Sequence, residues 1–358
     1  MAFRDFFHVA ANREIRMIET IVARVRRGEH LSMEEMDEAI SRIMEGVCQE
    51  GEIAELLVGL HERGETVAEV AGAASAMRRY MTRIRTARQN VIDVVGTGGD
   101  ASGTFNISTA AALVTAAAGQ PVAKHGNRKF TSKSGSADVL AELGVNIQAS
   151  VAAVEDCLDK LGVCFCFAPL LHRAMRHVGP VRQRIATPTI FNILGPLVNP
   201  AGAPYQLLGV GRPPLRSLLA EALLMLGARR VLVVHGVDGL DEITVGGRTD
   251  VTEAAGGRLR EFSWLPSDFG LATSGKTAML VEDSRQSAAL IRQVLAGAPG
   301  PARDVVVANA AGALWTAGAA ASLAQCAARA AEAIDSGAAA GLLARLVERT
   351  NRCAGSLS

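Results

Sequence analysis

Residues 93–109 read DVVGTGGDASGTFNIST, and the fold turns on this stretch. Val91-Ile-Asp-Val-Val95 just before the loop is a short apolar run that fits a buried strand. Gly96, Gly98, Gly99 and Gly103 then fall in one loop. Beyond Asn106-Ile-Ser-Thr109 an Ala-rich run predicts a helix from about Ser108 to Ala118, with Ser108 or Thr109 as N-cap. Glycines let the backbone approach a ligand closely, and the free N–H groups of a helix start favour an anion. The stretch therefore predicts a phosphate-binding loop at the end of a sheet strand. Two better-known loops do not fit. No Lys lies between Asp93 and Thr109, as a nucleotide-triphosphate P-loop would require. Gly96-x-Gly98-x-x-Ala101 formally matches the dinucleotide fingerprint, which needs an acidic residue about 20 positions on. The next strand instead runs into the basic Lys124-His125-Gly126-Asn127-Arg128.

Upstream, residues 12–88 read as helices without a strand. Ser32-Met-Glu-Glu35 is a capping box opening a helix through Met44. Helical periodicity continues over Glu52–Leu60 and Glu65–Arg85, broken at Gly64. Downstream, strand and helix alternate: strand PVAK, a helix from about Ser134, another from Val151, strand VCFCF, the helix Leu215–Leu226 and strand VLVVH. At least two Ala-rich helices follow. The alternation predicts an α/β fold, a mostly parallel central sheet covered by helices, preceded by a small all-helical domain. Residues 1–89 form the helical domain in this scheme, and 172–200, polar and Pro-punctuated, fold back onto it. Residues 90–171 and 201–358 make the α/β domain.

Composition narrows the classes. The 358 residues carry 37 Lys+Arg against 36 Asp+Glu, a balance that does not recommend a nucleic-acid or membrane-surface binder. Apolar residues are 49%, which excludes a disordered chain, and the length suits about two domains. Cys164 and Cys166 alternate on one strand face and read as core thiols, and no Cys spacing suits a metal site or a disulfide framework; a reducing cytoplasm fits. The N-terminus has no apolar core of a signal peptide. The uncharged stretch Val305–Ala328 is mostly Ala and Gly, too weakly hydrophobic to span a membrane.

Three further segments carry chemistry. KHGNRKFTSKSGSAD (124–138) sets Lys124, His125, Arg128, Lys129 and Lys133 among serines and two glycines, suited to a polyphosphate. HGVDGLDEITVGG (235–247) puts the adjacent carboxylates Asp241 and Glu242 in a Gly-flanked loop after a buried strand, suited to Mg²⁺ on a phosphorylated substrate. HRAMRHVGPVRQRIATPTIFNILGPLVNP (172–200) carries Arg176, Arg182 and Arg184 beside His172 and Asn192. The remaining basic run, Arg78, Arg79, Arg83, Arg85 and Arg88, reads as a solvated helix face.

GTGGD…TFNIST, KHGNR…SKSGSAD, HxAM…PVR, TIFNILGPLVNP and HGxDGLDE, in this order over the whole chain, resemble the anthranilate phosphoribosyltransferase family. The resemblance implies transfer of the phosphoribosyl group of 5-phosphoribosyl 1-pyrophosphate (PRPP) to the amine of anthranilate in tryptophan biosynthesis, by a cytoplasmic homodimer joined through the helical domain. It implies a PRPP site of Gly96, Gly99, Asp100, Thr104, Asn106, Ile107, Ser108, Thr109, Lys124, His125, Gly126, Asn127, Arg128, Lys129, Phe130, Thr131, Ser132 and Ser136. Gly96, Asn127, His172, Arg182 and Pro196 would serve anthranilate. Ser108, Asp241 and Glu242 would serve Mg²⁺, as two ions. No covalent nucleophile is implied, and His125 is the one residue given a possible catalytic role. Lys129-Phe130-Thr131 departs from the family's small or β-branched residues, and Arg173 from its common Pro. Neither nucleic acid nor membrane is an expected partner. The rivals are a pyrimidine nucleoside phosphorylase, which would not need the Asp241-Glu242 pair, and a catalytically silent relative that grips nucleic acid.

Overall fold

The computed structural model describes residues 18–100, 102–128, 135–185 and 187–352. In chain order, helices α1 (18–26), α2 (Met33–Glu45), α3 (Glu50–Arg63) and α4 (Val67–Tyr80) precede strand β1 (Ile92–Gly96). Then come α5 (Ile107–Ala117), β2 (Val122–Gly126), α6 (Ser136–Glu142), α7 (Val151–Leu161), β3 (Val163–Phe167) and α8 (Ala168–Leu171). The short helices α9 (Gly179–Ile185) and α10 (Phe191–Leu194) interrupt the alternation. It resumes with β4 (Tyr205–Gly209), α11 (Leu215–Met225) and β5 (Arg230–Gly236), then a hairpin of β6 (Thr249–Ala255) and β7 (Arg258–Trp264). Helices α12 (Ser284–Leu295), α13 (Pro301–Thr316), α14 (Leu323–Asp335) and α15 (Ala338–Arg352) are the last described elements.

The chain divides into two compact units, one holding the described residues through Thr82 together with His172–Val198, the other Arg83–Leu171 and Asn199 onward. In the first, α2 packs on α4, and α9 on α3. The capping box of α2 is formed: the Glu35 N–H donates to Ser32 Oγ (3.2 Å) and the Ser32 N–H to Glu35 Oε2 (2.9 Å). Helix α4 stops at Tyr80, short of the expected Arg85, because Met81 is extended (ψ 152°). Beyond it, in the second unit, Ile84 N–H donates to Pro200 O (3.0 Å) and the Arg88 guanidinium to Asp159 O (2.8 Å), tertiary bonds that local periodicity does not announce. The arginine run therefore does not share one helix face.

In the second unit the seven-stranded sheet has the order β3-β2-β1-β4-β5-β6-β7. The first five strands are parallel, and the β6–β7 hairpin adds antiparallel to β5. The hairpin turns at Gly256-Gly257, both with positive φ; the strand–helix alternation gave no sign of it. Helices α5 and α13 pack against each other and the sheet, and both are buried almost throughout. That explains Val305–Ala328: its first half is α13, apolar on every side because protein surrounds it. Among the described residues, no helix is long and apolar enough to cross a membrane. Cys157, Cys164, Cys166 and Cys326 are buried thiols of this core.

Candidate active site

The strand order changes direction between β1 and β4, since the chain builds β2 and β3 on one side of β1 and β5 on the other. Such a switch point leaves a crevice beyond the carboxyl ends of the two strands. Gly96 ends β1 and lies in register with Gly209, which ends β4. The loop after β5 crosses over both. A Cβ on Gly209 would stand 1.6 Å from the carbonyl oxygen of Asp241, and one on Gly96 2.5 Å from Asp241 Oδ2. The two glycines thus let the acidic loop settle on the strand ends. The Gly98 N–H donates to Asp241 Oδ2 (2.8 Å), and Gly98 and Gly99 are left-handed (φ 68° and 77°), which a glycine adopts without strain.

The charges gathered here repel one another. Burial, then the nearby Asp100 and Glu242 carboxylates, push Asp241 well above the usual carboxylate range, against the Gly98 hydrogen bond. Burial pushes Glu242 up to about 8, opposed by the Lys124 ammonium and the Ser108 N–H, and reinforced by Asp100. Lys124, buried too, donates to Val94 O (2.7 Å) and Ser108 Oγ (3.0 Å). Burial lowers its pKa, and Asp93, Glu242 and Asp241 oppose that. Beneath it, Asp93 is fully buried and raised to about 6, while its Oδ1 accepts the His125 N–H (3.2 Å). Acidic groups held this far above their solution pKa form a site that a divalent cation would relieve.

The helix start is capped by Asn106, not by Ser108 or Thr109: Asn106 Oδ1 accepts from the Thr109 N–H (3.2 Å) and from its hydroxyl. The correction matters, because it leaves the Ser108 hydroxyl to Lys124. Thr104 pairs by a single bridge with Leu280, Ile107 is buried in the first turn of α5, and the Ser102 and Thr104 hydroxyls are 3.0 Å apart. In the basic segment, His125 is buried, whereas Asn127 and Arg128 are exposed. Arg128 donates to Asp138 (3.0 Å) and lies over the Phe167 ring (5.9 Å). Gly126 lets Ser136 close in, since a Cβ there would stand 2.1 Å from its hydroxyl. Lys129, Phe130, Thr131 and Ser132 lie outside the described residues.

The other expected residues belong to the first unit. Arg182, on α9, is half-buried over the Phe191 ring (5.7 Å), with Asn192 Oδ1 at 3.5 Å from its Nη2; burial lowers its pKa. Arg184 is 62% exposed and pairs with Glu50. His172 is buried, which takes its imidazole down to about 4 and keeps it neutral near pH 7, against a hydrogen bond with the Val198 backbone. Pro196 is buried in the 3₁₀ turn Gly195–Leu197.

Sequence reasoning missed Gly209 and Asp93. Only faint signals existed: a glycine at a strand's end and an Asp within an apolar strand. Among the described residues, no three His, Cys, Asp or Glu side chains form a metal cage of their own. Asp241 and Glu242 nonetheless suit Mg²⁺, which is commonly held by one or two carboxylates together with substrate phosphates.

Comparison with known proteins bears on the fold and the family. Residues 88–340 match the model of a glycosyl transferase family a/b domain, and residues 19–81 that of its helical bundle domain. The anthranilate phosphoribosyltransferase of Rhodospirillum rubrum is 52% identical, over 92% of this chain and 95% of that protein. The crystal structure of the Thermus thermophilus anthranilate phosphoribosyltransferase superposes with a TM-score of 0.87 at 42% identity, covering 92% of this chain and 99% of that one. The Saccharomyces cerevisiae enzyme, in complex with PRPP and Mg, superposes with a TM-score of 0.85 at 26% identity, covering 94% and 98%. A switch-point glycine loop faced by an acidic pair, and a relative half identical along nearly the full chain, place this chain in the anthranilate phosphoribosyltransferase family.

Proposed function

We infer that the protein transfers the 5-phosphoribosyl group of PRPP to the amine of anthranilate, giving N-(5-phosphoribosyl)anthranilate and pyrophosphate. The observation that carries this is the Asp241-Glu242 pair seated across the ends of β1 and β4, bonded to the glycine loop through the Gly98 N–H. A pyrimidine nucleoside phosphorylase, which handles inorganic phosphate, would have no use for that pair.

In the reaction, the anthranilate nitrogen bonds to C1 of the ribose, the C1–O bond to pyrophosphate breaks, and the amine loses a proton. Positive charge grows on the sugar and negative charge on the departing oxygens. Donors fixed in place beforehand suit the latter, because they need no reorganisation as charge develops. Lys124, Arg128 and the serines of 124–136 add donors to that pole. An aryl amine is uncharged at neutral pH and already nucleophilic, so positioning supplies much of the rate and a strong base is dispensable. His125 retains at most a proton-accepting role.

When bound, Mg²⁺ neutralises the pyrophosphate and makes it a better leaving group. Ser108, Asp241 and Glu242 are its proposed protein ligands, with two ions. The PRPP contacts proposed are Gly96, Gly99, Asp100, Thr104, Asn106–Thr109, Lys124–Ser132 and Ser136. For anthranilate they are Gly96, Asn127, His172, Arg182 and Pro196, with Arg182 on the carboxylate. A homodimer through the helical unit, working in the cytoplasm without nucleic acid, completes the proposal. The near-balanced charge of the chain supports the last point.

The test is loss of anthranilate fluorescence by purified protein with PRPP and Mg²⁺, paired with rescue of a tryptophan auxotroph lacking this step. Phosphorolysis of thymidine or uridine without anthranilate turnover would overturn the inference.

A further inference from the structure

Asn309 stands near the middle of α13, fully buried among Val, Ala and Leu. Its amide spans a residue of the acidic loop. Oδ1 accepts the Ile243 N–H (2.9 Å), while Nδ2 donates to the Ile243 carbonyl (2.8 Å) and to Val305 O (2.9 Å) on its own helix. The bonded N–H belongs to the peptide that joins Glu242 to Ile243. One side chain thus holds the backbone on both sides of the residue after the acidic pair, and its third bond fixes it to the helix. One turn further on, Gly312 faces the same residue: a Cβ there would stand 2.3 Å from Ile243 Cδ1.

Why should a polar clamp sit in an apolar helix? The loop lays two carboxylates side by side over the ends of β1 and β4, where the Gly98 N–H bonds Asp241. A buried amide with both its oxygen and its nitrogen satisfied is rigid, because any movement strands polar groups where water cannot reach them.

We propose that Asn309 is a positioning residue that holds Asp241 and Glu242 at the metal-binding position by clamping Ile243 to α13. The proposal rests on the Mg²⁺ role given to the acidic pair above. Removing the clamp frees the peptide that follows Glu242, so the cost appears in Mg²⁺ use before it appears elsewhere.

Two readouts test it on the full-length protein. In the first, anthranilate turnover is measured against Mg²⁺ concentration. Asn309→Ala is expected to raise half-saturating Mg²⁺ about tenfold or more, with the KM for anthranilate within twofold of wild type. In the second, PRPP binding is measured by calorimetry with and without Mg²⁺, in the absence of anthranilate. The Mg²⁺-dependent gain in affinity should shrink in the variant. Asn309→Thr, whose hydroxyl can still bond Val305 O on the helix but cannot hold both the N–H and the carbonyl of Ile243, should shift both readouts the same way. A folded Asn309→Ala with a lower melting temperature but wild-type Mg²⁺ dependence would show a purely structural role and overturn the proposal. So would wild-type Mg²⁺ dependence in a folded Asn309→Thr, which decides the matter if Asn309→Ala does not fold. If wild type binds PRPP with Mg²⁺ but ignores anthranilate, the acceptor assignment fails and the clamp is still judged by calorimetry.

Discussion

Gly209→Ala adds one methyl group at the end of a central strand, and the structure gives its consequence in ångströms. The new Cβ would stand 1.6 Å from the Asp241 carbonyl oxygen and 2.4 Å from the carbonyl carbon. Reaching even 3.0 Å, below which Cβ contacts are essentially unknown, requires a shift of 3.0 − 1.6 = 1.4 Å. No flexible side chain can absorb it, because both groups are backbone. Strand β4 lies between β1 and β5, and its end is fixed by Thr97 N–H to Gly209 O (2.9 Å) and Val210 N–H to Val234 O (2.9 Å). The acidic loop must therefore move. A misplacement of about 1 Å can cost roughly 10²-fold in rate, equivalent to about 2.7 kcal/mol of transition-state stabilisation. Overpacking should cost a further ~1–3 kcal/mol of stability. Turnover is followed by anthranilate fluorescence at saturating PRPP across a Mg²⁺ series, and folding by thermal melts. Gly51→Ala is the control: its Cβ would meet nothing within 4 Å on α3, so activity should hold and the helix should gain about 0.5–1 kcal/mol. A folded Gly209→Ala with turnover within threefold of wild type would refute the view that the strand end seats the acidic pair.

Asp241→Asn with Glu242→Gln should abolish turnover, as should EDTA treatment of wild type until Mg²⁺ is restored; full activity of the double variant would sink the metal assignment. The same substitutions should flatten a pH effect. Glu242 is raised from 4.5 to about 8 in the folded protein, so the native state binds the extra proton and metal-free stability falls as pH rises through that window. Melts of the metal-free wild type between pH 5 and 8, set against the double variant, show whether that slope exists. Gly99→Val places a β-branched residue at φ 77°, where strain rather than crowding is the cost. It should weaken PRPP binding by calorimetry far more than it lowers the melting temperature, and equal affinity would make the loop a mere connector. Arg182→Ala should raise the KM for anthranilate by the roughly 1.5–3 kcal/mol of a lost charged hydrogen bond. PRPP affinity should change little, and Arg184→Ala, exposed and paired with Glu50, should be nearly silent. The reverse ranking would mean that the wrong arginine was chosen.

Local sequence was enough for much of this protein. Gly96, Gly98, Gly99 and Gly103 between an apolar run and an Ala-rich helix mark a strand–loop–helix turn, because Gly98, Gly99 and Gly103 take left-handed backbone that glycine adopts without strain. Ser32 and Glu35 mark a helix start for the same kind of local reason, a side chain bonding backbone three residues away. The order of the motifs pointed to the family, and with it to the chemistry. Other features have no local signature. Asp241 meets the Gly98 N–H across 143 positions and Asn309 meets Ile243 across 66. Which strand lies beside β1, and hence which loop crosses its end, follows from how the chain is wound through the whole sheet. The helix stop at Tyr80, the β6–β7 hairpin and the need for glycine at Gly209 were likewise decided by partners far along the chain. A residue's neighbours in sequence fix its backbone preference, but the space it may occupy, and the field that shifts its charge, come only from atoms that folding brings to it.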